Sequence, residues 1–204
     1  QRLCIVSTGE CDELGEAENT IVFFTSDNGG LATAEGSPTC NAPLSEGKGW
    51  MYEGGTREPL LVRWPGHIAA DSTCLTPVTS PDFYPTILEL AGLAPIPEQH
   101  CDGASIAPLL RGEDFDRGAI FWHYPHYGNQ GGTPGSSVRE GDYKLIEFFE
   151  DERLELYNLR EDIGEDRDLA ATEPEPRDRL HAQLKTWREK VEAKIPQPNP
   201  DWPA

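Results

Sequence analysis

Two short apolar runs, Ile21-Val22-Phe23-Phe24 and Leu60-Leu61-Val62-Arg63-Trp64, are joined by a glycine-rich stretch from Gly29 to Pro59. That stretch limits the possible folds more than any other feature. It is too long for an ordinary connection in a compact domain, and long structured loops of this kind usually carry function. The first run is continuous rather than alternating, as in a strand of the parallel-sheet kind buried on both faces, and the second is of the same type. The first ends at Thr25-Ser26-Asp27-Asn28-Gly29-Gly30 and the second at Pro65-Gly66. A helix is expected next, with Ser80 as N-cap, Pro81 at its first position and Asp82 near its positive end. Phe83, Ile87 and Leu90 recur at helical spacing, and Gly92 is a natural stop. Together these elements read as α/β.

The texture changes between Arg111 and Arg117. Ala119 to Tyr124, Ser137 to Arg139, Tyr143 to Phe148 and Leu154 to Leu159 are strand-like, and Glu140-Gly141-Asp142 makes a tight hairpin turn. A last helix is expected from Thr172, with Glu175 completing a capping box. Leu180, Leu184, Trp187 and Val191 form its apolar stripe and Pro196 ends it. The expected division is therefore 1–115, the end of an α/β domain, and 116–204, a small α+β unit of antiparallel sheet and helix.

Charge excludes one class of partner. The 204 residues hold 17 Lys and Arg against 36 Asp and Glu, a net charge of −19. A general basic field for nucleic acid is absent, so an anionic substrate has to be caught by a few local cations, helped by a metal ion. Acidity peaks between Glu147 and Asp178, where a solvated surface is the expected role. No apolar run approaches the length of a bilayer span, and no signal-peptide pattern opens the chain. The five cysteines, Cys4, Cys11, Cys40, Cys74 and Cys101, form no C-x-x-C pair and fix no redox compartment. Met51 is the only methionine, so a chain opening at Gln1 reads as a processed product or a fragment.

Candidate chemistry begins at the end of the first apolar run and continues into the long loop. Asp27 and Asn28 offer hard oxygen donors suited to Ca²⁺ or Mg²⁺, and the glycines after them allow a sharp turn. An Asx-type turn ending a strand accounts for the same residues. Two donors are also few, since Ca²⁺ takes about six to eight oxygens. Lys48, between Gly47 and Gly49, places a compact charge where a sulfuryl or phosphoryl oxygen could meet it, and an exposed lysine is the plain alternative. His123 and His126 straddle Pro125 before a glycine-rich loop. They either edge a substrate pocket or pack as strand-end aromatics. Arg57 and Glu58 read as structural loop residues, and His67 and His100 have no assigned role.

The segments T-S-D-N-G-G, G-K-G-W-M-Y-E-G-G-T-R-E-P, V-R-W-P-G-H-I and S-P-D-F-Y-P-T-I-L-E-L-A-G, in that order, resemble the C-terminal half of the sulfatase family of the arylsulfatase A-like type. H-Y-P-H-Y-G-N-Q-G-G-T-P-G-S-S and R-E-G-D-Y-K-L-I extend the resemblance almost to the end of the chain. It implies part of an alkaline-phosphatase-like α/β fold: the end of a large parallel-sheet domain, then a small antiparallel sheet with a long helix. It implies hydrolysis of sulfate esters of a sulfated carbohydrate or an aryl sulfate, with a divalent cation, usually Ca²⁺. By motif, Asp27 and Asn28 match metal ligands and Lys48 the lysine that contacts the sulfate. The family's nucleophile is a formylglycine made from Cys or Ser in a C/S-x-P/A-x-R motif, and no cysteine or serine here has that context. The resemblance therefore places the nucleophile outside these residues and implies no turnover by this chain alone. It also implies a periplasmic, secreted or lysosome-like location. A phosphodiesterase or phosphonate hydrolase of the same superfamily, and a non-catalytic glycan- or partner-binding module, are the alternatives.

Overall fold

A strand sends successive side chains to opposite faces, and in the second half of this chain both faces find a covering. The computed structural model describes residues 9–197 and 199–201; Cys4 lies outside them. The elements are α1 (Gly9–Glu13), β1 (Val22–Thr25), α2 (Glu53–Thr56), β2 (Leu60–Arg63), α3 (Phe83–Leu90), α4 (Ala107–Leu110), β3 (Ile120–Tyr124), β4 (Gly135–Glu140), β5 (Tyr143–Phe148), β6 (Leu154–Asn158) and α5 (Pro174–Lys190). They fall into two compact units. One joins 1–26 to 59–117 and the other joins 27–58 to 118–204. The long loop thus belongs with the C-terminal sheet, although the chain reaches it directly from β1.

In the first unit β1 and β2 pair antiparallel, Val22 opposite Arg63 and Thr25 opposite Leu60. This corrects the reading of both runs as strands of the parallel kind covered on both faces. Among the described residues the ribbon has two strands, and Phe24 is 38% and Leu61 56% exposed. An unbroken apolar run records the need for cover but not the direction of the partner strand. Ahead of α3, Thr79 rather than Ser80 is the cap. It forms a capping box with Asp82 across a 3₁₀ turn, Ser80–Asp82. Asp82 is buried and accepts from the Thr79 and Ala104 amides, each at 2.8 Å, while pairing with Arg117 at 2.9 Å. Thr86, also buried, accepts from the Ile106 amide. These polar ties turn the Asp82, Pro85 and Thr86 side of the helix inward and leave Ile87 53% exposed, against the expected apolar stripe. Gly92, at φ +67°, ends the helix as expected.

The second unit is a four-stranded antiparallel meander, β3-β4-β5-β6. Its strands match the sequence expectation to within two residues at each end. Gly141, at φ +58°, turns the chain between Glu140 and its partner Tyr143. One face presents Val138, Leu145 and Leu156, which are opposite one another in register and fully buried against Leu180 and Leu184 of α5. Trp187 stacks on Phe121 with ring centroids 4.9 Å apart. Val191 falls beyond the helix and is 41% exposed. The expected capping box at Thr172 is not formed. Pro174 takes the first helical position, Glu173 is the cap without a side-chain bond, and the Thr172 hydroxyl donates to the Leu169 carbonyl. The opposite face buries Met51, Ile146, Phe148, Tyr157 and Leu159 together. The long loop, which supplies Met51, covers that face.

Leu184 has no exposed surface in the α5 core, so Leu184→Ala is expected to destabilise the chain by about 2–5 kcal/mol in urea unfolding. Ile87→Ala, at an exposed position, is expected to change stability by about 0.5 kcal/mol or less.

Candidate functional site

Glycine builds the site because several places in the loop leave no room for a Cβ. On Gly29 or Gly54 a Cβ would overlap a backbone carbonyl, that of Gly54 or Ser45 respectively. On Gly47 or Gly55 it would strike the carbonyl of Gly30 or Trp50. The backbones therefore interlock. The Gly29 amide donates to the Gly55 carbonyl at 3.2 Å, the Lys48 amide to the Gly30 carbonyl at 3.1 Å, and the Gly54 amide to the Ser45 carbonyl at 2.8 Å. The Asn41 side-chain amide closes the knot by donating to the carbonyls of Gly30 (2.8 Å) and Glu46 (2.9 Å). Residues distant in sequence are thereby fixed together, with the Lys48 amide tied to Gly30, two residues after Asn28. Asp27 is exposed, while Asn28 and Lys48 are half-buried.

The β3–β4 loop packs onto the same knot. A Cβ on Gly131 would overlap the Trp50 indole, and one on Gly132 the Gly49 carbonyl. The Trp50 ring N–H donates to the Thr33 hydroxyl at 3.0 Å, and that hydroxyl donates to the Gln130 carbonyl at 2.9 Å. His126, in this loop, is exposed and meets Tyr124 edge-on at 5.3 Å. His123 is placed differently. Strand alternation sets it with Phe121 on the α5 face, where one ring nitrogen is 2.7 Å from the Ser136 hydroxyl and the other 2.9 Å from the Lys194 carbonyl. Both nitrogens are thus engaged within the protein, and His123 ties β3 to the segment after α5.

Buried charges anchor the knot to the sheet. Lys144 of β5 has no exposed surface, and its ammonium lies 3.0 Å from Glu53 and 3.1 Å from Glu165. Arg57 and Arg139 each approach the other Glu53 oxygen at 3.3 Å. The Glu53 amide donates to Glu165 at 2.6 Å. Burial acts to raise the Glu53 carboxyl, but Lys144, Arg139 and Arg57 outweigh it and hold the group below the usual range. For Glu165 burial dominates over the pull of Lys144, and its carboxyl sits above that range. Beside this network the Tyr52 and Tyr157 hydroxyls donate to one oxygen of Glu155, at 2.7 and 2.8 Å. Glu155 and Glu165 show that the acidic stretch is not wholly a solvated surface.

Glu58, which the sequence suggests is a structural loop residue, has an unusual environment. Its carboxyl is pushed up to about 7, by burial first and then by the negative charge of Asp27. One of its oxygens is buried without a hydrogen-bond partner. The Asp27 and Glu58 carboxyls thus lie near enough for the charge of one to act on the other. Among the described residues no group of three or more His, Cys, Asp or Glu forms a metal cluster. Lys144 was legible in principle, since it shares strand parity with the apolar Ile146 and Phe148.

Residues 46–194 match the family model described as N-sulphoglucosamine sulphohydrolase, C-terminal. A sulfatase of Formosa agariphila is 42% identical over 189 residues, covering 85% of this chain and 34% of that protein. Human arylsulfatase A is 41% identical over 137 residues, covering 67% of this chain and 26% of its own length. The solved structure of BT4656 in complex with its substrate, D-glucosamine-2-N,6-O-disulfate, superimposes with a TM-score of 0.71 at 27% identity, covering 92% of this chain and 38% of that one. The chain thus spans about a third or less of the length of these two curated relatives.

Glu58 gives the metal-free chain a pH signature. Its folded pKa lies above the ordinary carboxyl value of 4.5, so between that value and about 7 the folded state binds more protons than the unfolded one. Its contribution to stability is complete at low pH and is lost as pH rises through that window. Glu58→Gln is expected to raise the unfolding midpoint at pH 8 and leave it nearly unchanged at pH 4, measured by thermal denaturation in chelator.

Proposed function

The chain belongs to the sulfatase family, matching its C-terminal part, and on that premise we propose that the protein carrying it hydrolyses sulfate esters. The substrate would be a sulfated carbohydrate or an aryl sulfate, and this segment would supply one side of the active site. The observation that carries this reading is the glycine knot, which holds Lys48 against the Asp27–Gly30 segment through the Lys48–Gly30 backbone bond. The disulfated glucosamine in the BT4656 structure and the name arylsulfatase A support a sulfate-bearing substrate.

In this reading Lys48 binds the sulfuryl oxygens and stabilises the negative charge that grows as the S–O bond breaks. Asp27 and Asn28 would hold a divalent cation, Ca²⁺ or Mg²⁺, and the uncompensated carboxyl of Glu58 beside Asp27 fits that assignment. When bound, such an ion polarises the sulfuryl oxygens. His126, exposed on the loop packed over the knot, would donate to a sugar or sulfate oxygen. For His123, which the sequence leaves between a pocket edge and strand-end packing, the two internal contacts favour a structural tie. The formylglycine nucleophile would come from residues beyond these 204. The family premise also carries a periplasmic, secreted or lysosome-like location. Among the described residues no helix is long and apolar enough to cross a membrane.

In the full-length protein, Lys48→Ala is expected to lower kcat for a chromogenic aryl sulfate by about 10²–10³-fold. An unchanged kcat would remove Lys48 from the mechanism. The 204-residue chain alone, with excess Ca²⁺, is expected to show no turnover above its own Lys48→Ala control, and turnover above that control would overturn the assignment of the nucleophile elsewhere.

A further inference from the structure

We propose that Glu53 is a positioning residue for Lys48, holding the lysine loop in a single register on the sheet through its buried bonds to Lys144 and Glu165. This rests on the reading of Lys48 as the sulfate-contacting cation.

The loop attaches to the face of the sheet opposite α5 through Met51, through the Tyr52 hydroxyl bond to Glu155, and through Glu53. Met51 is an apolar plug, and apolar contacts tolerate sliding because they have no direction. Glu53, two residues further on, is directional at three points. Its amide donates to Glu165, one carboxylate oxygen faces Lys144, and the other faces Arg139 and Arg57. Lys144 and Arg139 are opposite each other in register on β5 and β4, so their separation is set by the sheet. From Glu53 back to Lys48 the chain has little slack. The Gly54 amide bonds Ser45, Gly55 lies against the carbonyls of Gly47 and Trp50, and the Trp50 amide bonds Gly47. A shift of Glu53 therefore displaces the Lys48 backbone, and a misplacement of about 1 Å can cost roughly 10²-fold in rate.

The test is a double-mutant cycle in the full-length protein, with kcat and KM for a sulfate ester measured beside thermal stability and amide exchange across residues 45–56. Glu53→Gln is expected to lower kcat about 10- to 100-fold, and to speed exchange in that segment. In a Lys48→Ala background the same change is expected to lower kcat no further, because the group it positions is gone. Losses that multiply across the cycle would show a general structural effect and overturn the proposal, as would unchanged exchange over residues 45–56. Should Glu53→Gln fail to fold, Glu165→Gln carries the same cycle. It removes one charge and keeps an acceptor for the Glu53 amide. If Lys48→Ala alone leaves kcat intact, the sulfate role of Lys48 falls and the exchange measurement decides the positioning role by itself.

Discussion

A lysine with no exposed surface is the constraint on which the second unit depends. Burying the Lys144 ammonium alone would cost several kcal/mol, and each carboxylate beside it would cost a similar amount. The charges are tolerable only as a set, and the set spans three parts of the chain: β5, the start of α2, and the turn carrying Glu165 after β6. None of the three can leave without stranding the others. Burying such charges does not by itself make a fold more stable than a well-packed apolar core. Here it selects one arrangement of a loop that has little regular structure of its own.

The glycines complete what the charges begin. Hydrogen bonds between backbones require close approach, and at Gly29, Gly47, Gly54 and Gly55 that approach fills the space a side chain would occupy. The outcome is a loop ordered by its own main chain, with Asp27, Asn28, Lys48 and the His126 loop gathered on it. In a molecule of net charge −19, holding a cation at a fixed place has particular weight, because the diffuse field repels the anion that the site would bind.

Regular periodicity was legible in the sequence. Strand β5 was read at its observed limits, the Gly141 turn was placed, and Leu180, Leu184 and Trp187 face the sheet as expected. Caps were read less well. Pro174 and Thr79 took positions assigned to neighbouring residues, because capping depends on where the chain arrives from. The direction of β1 pairing was hidden, since an apolar run does not reveal which strand lies beside it. The residues of the candidate site were visible as motifs, but the backbone contacts that hold their segments together were not. Lys144 looks like any charged strand residue until Glu53 and Glu165 are placed around it. Glu58 acquires meaning only from its proximity to Asp27. The role of His123 depended on parity: alternation separated it from Trp122, but only the packing of Met51 and α5 revealed which face belonged to which layer.

The interlocked loop also restricts how such a protein can be redesigned. Surface loops usually absorb insertions and sequence drift, and new specificities arise in them for that reason. Here the interlocked glycines allow neither a larger residue nor a deletion without prising backbones apart. Gly36 is different: it has open space where a side chain would go, and only its positive φ restricts it. The neighbourhood of Gly36 is therefore the segment where length and chemistry can vary, and transplanting the rest of the loop to another scaffold would require moving the sheet with its buried lysine as well.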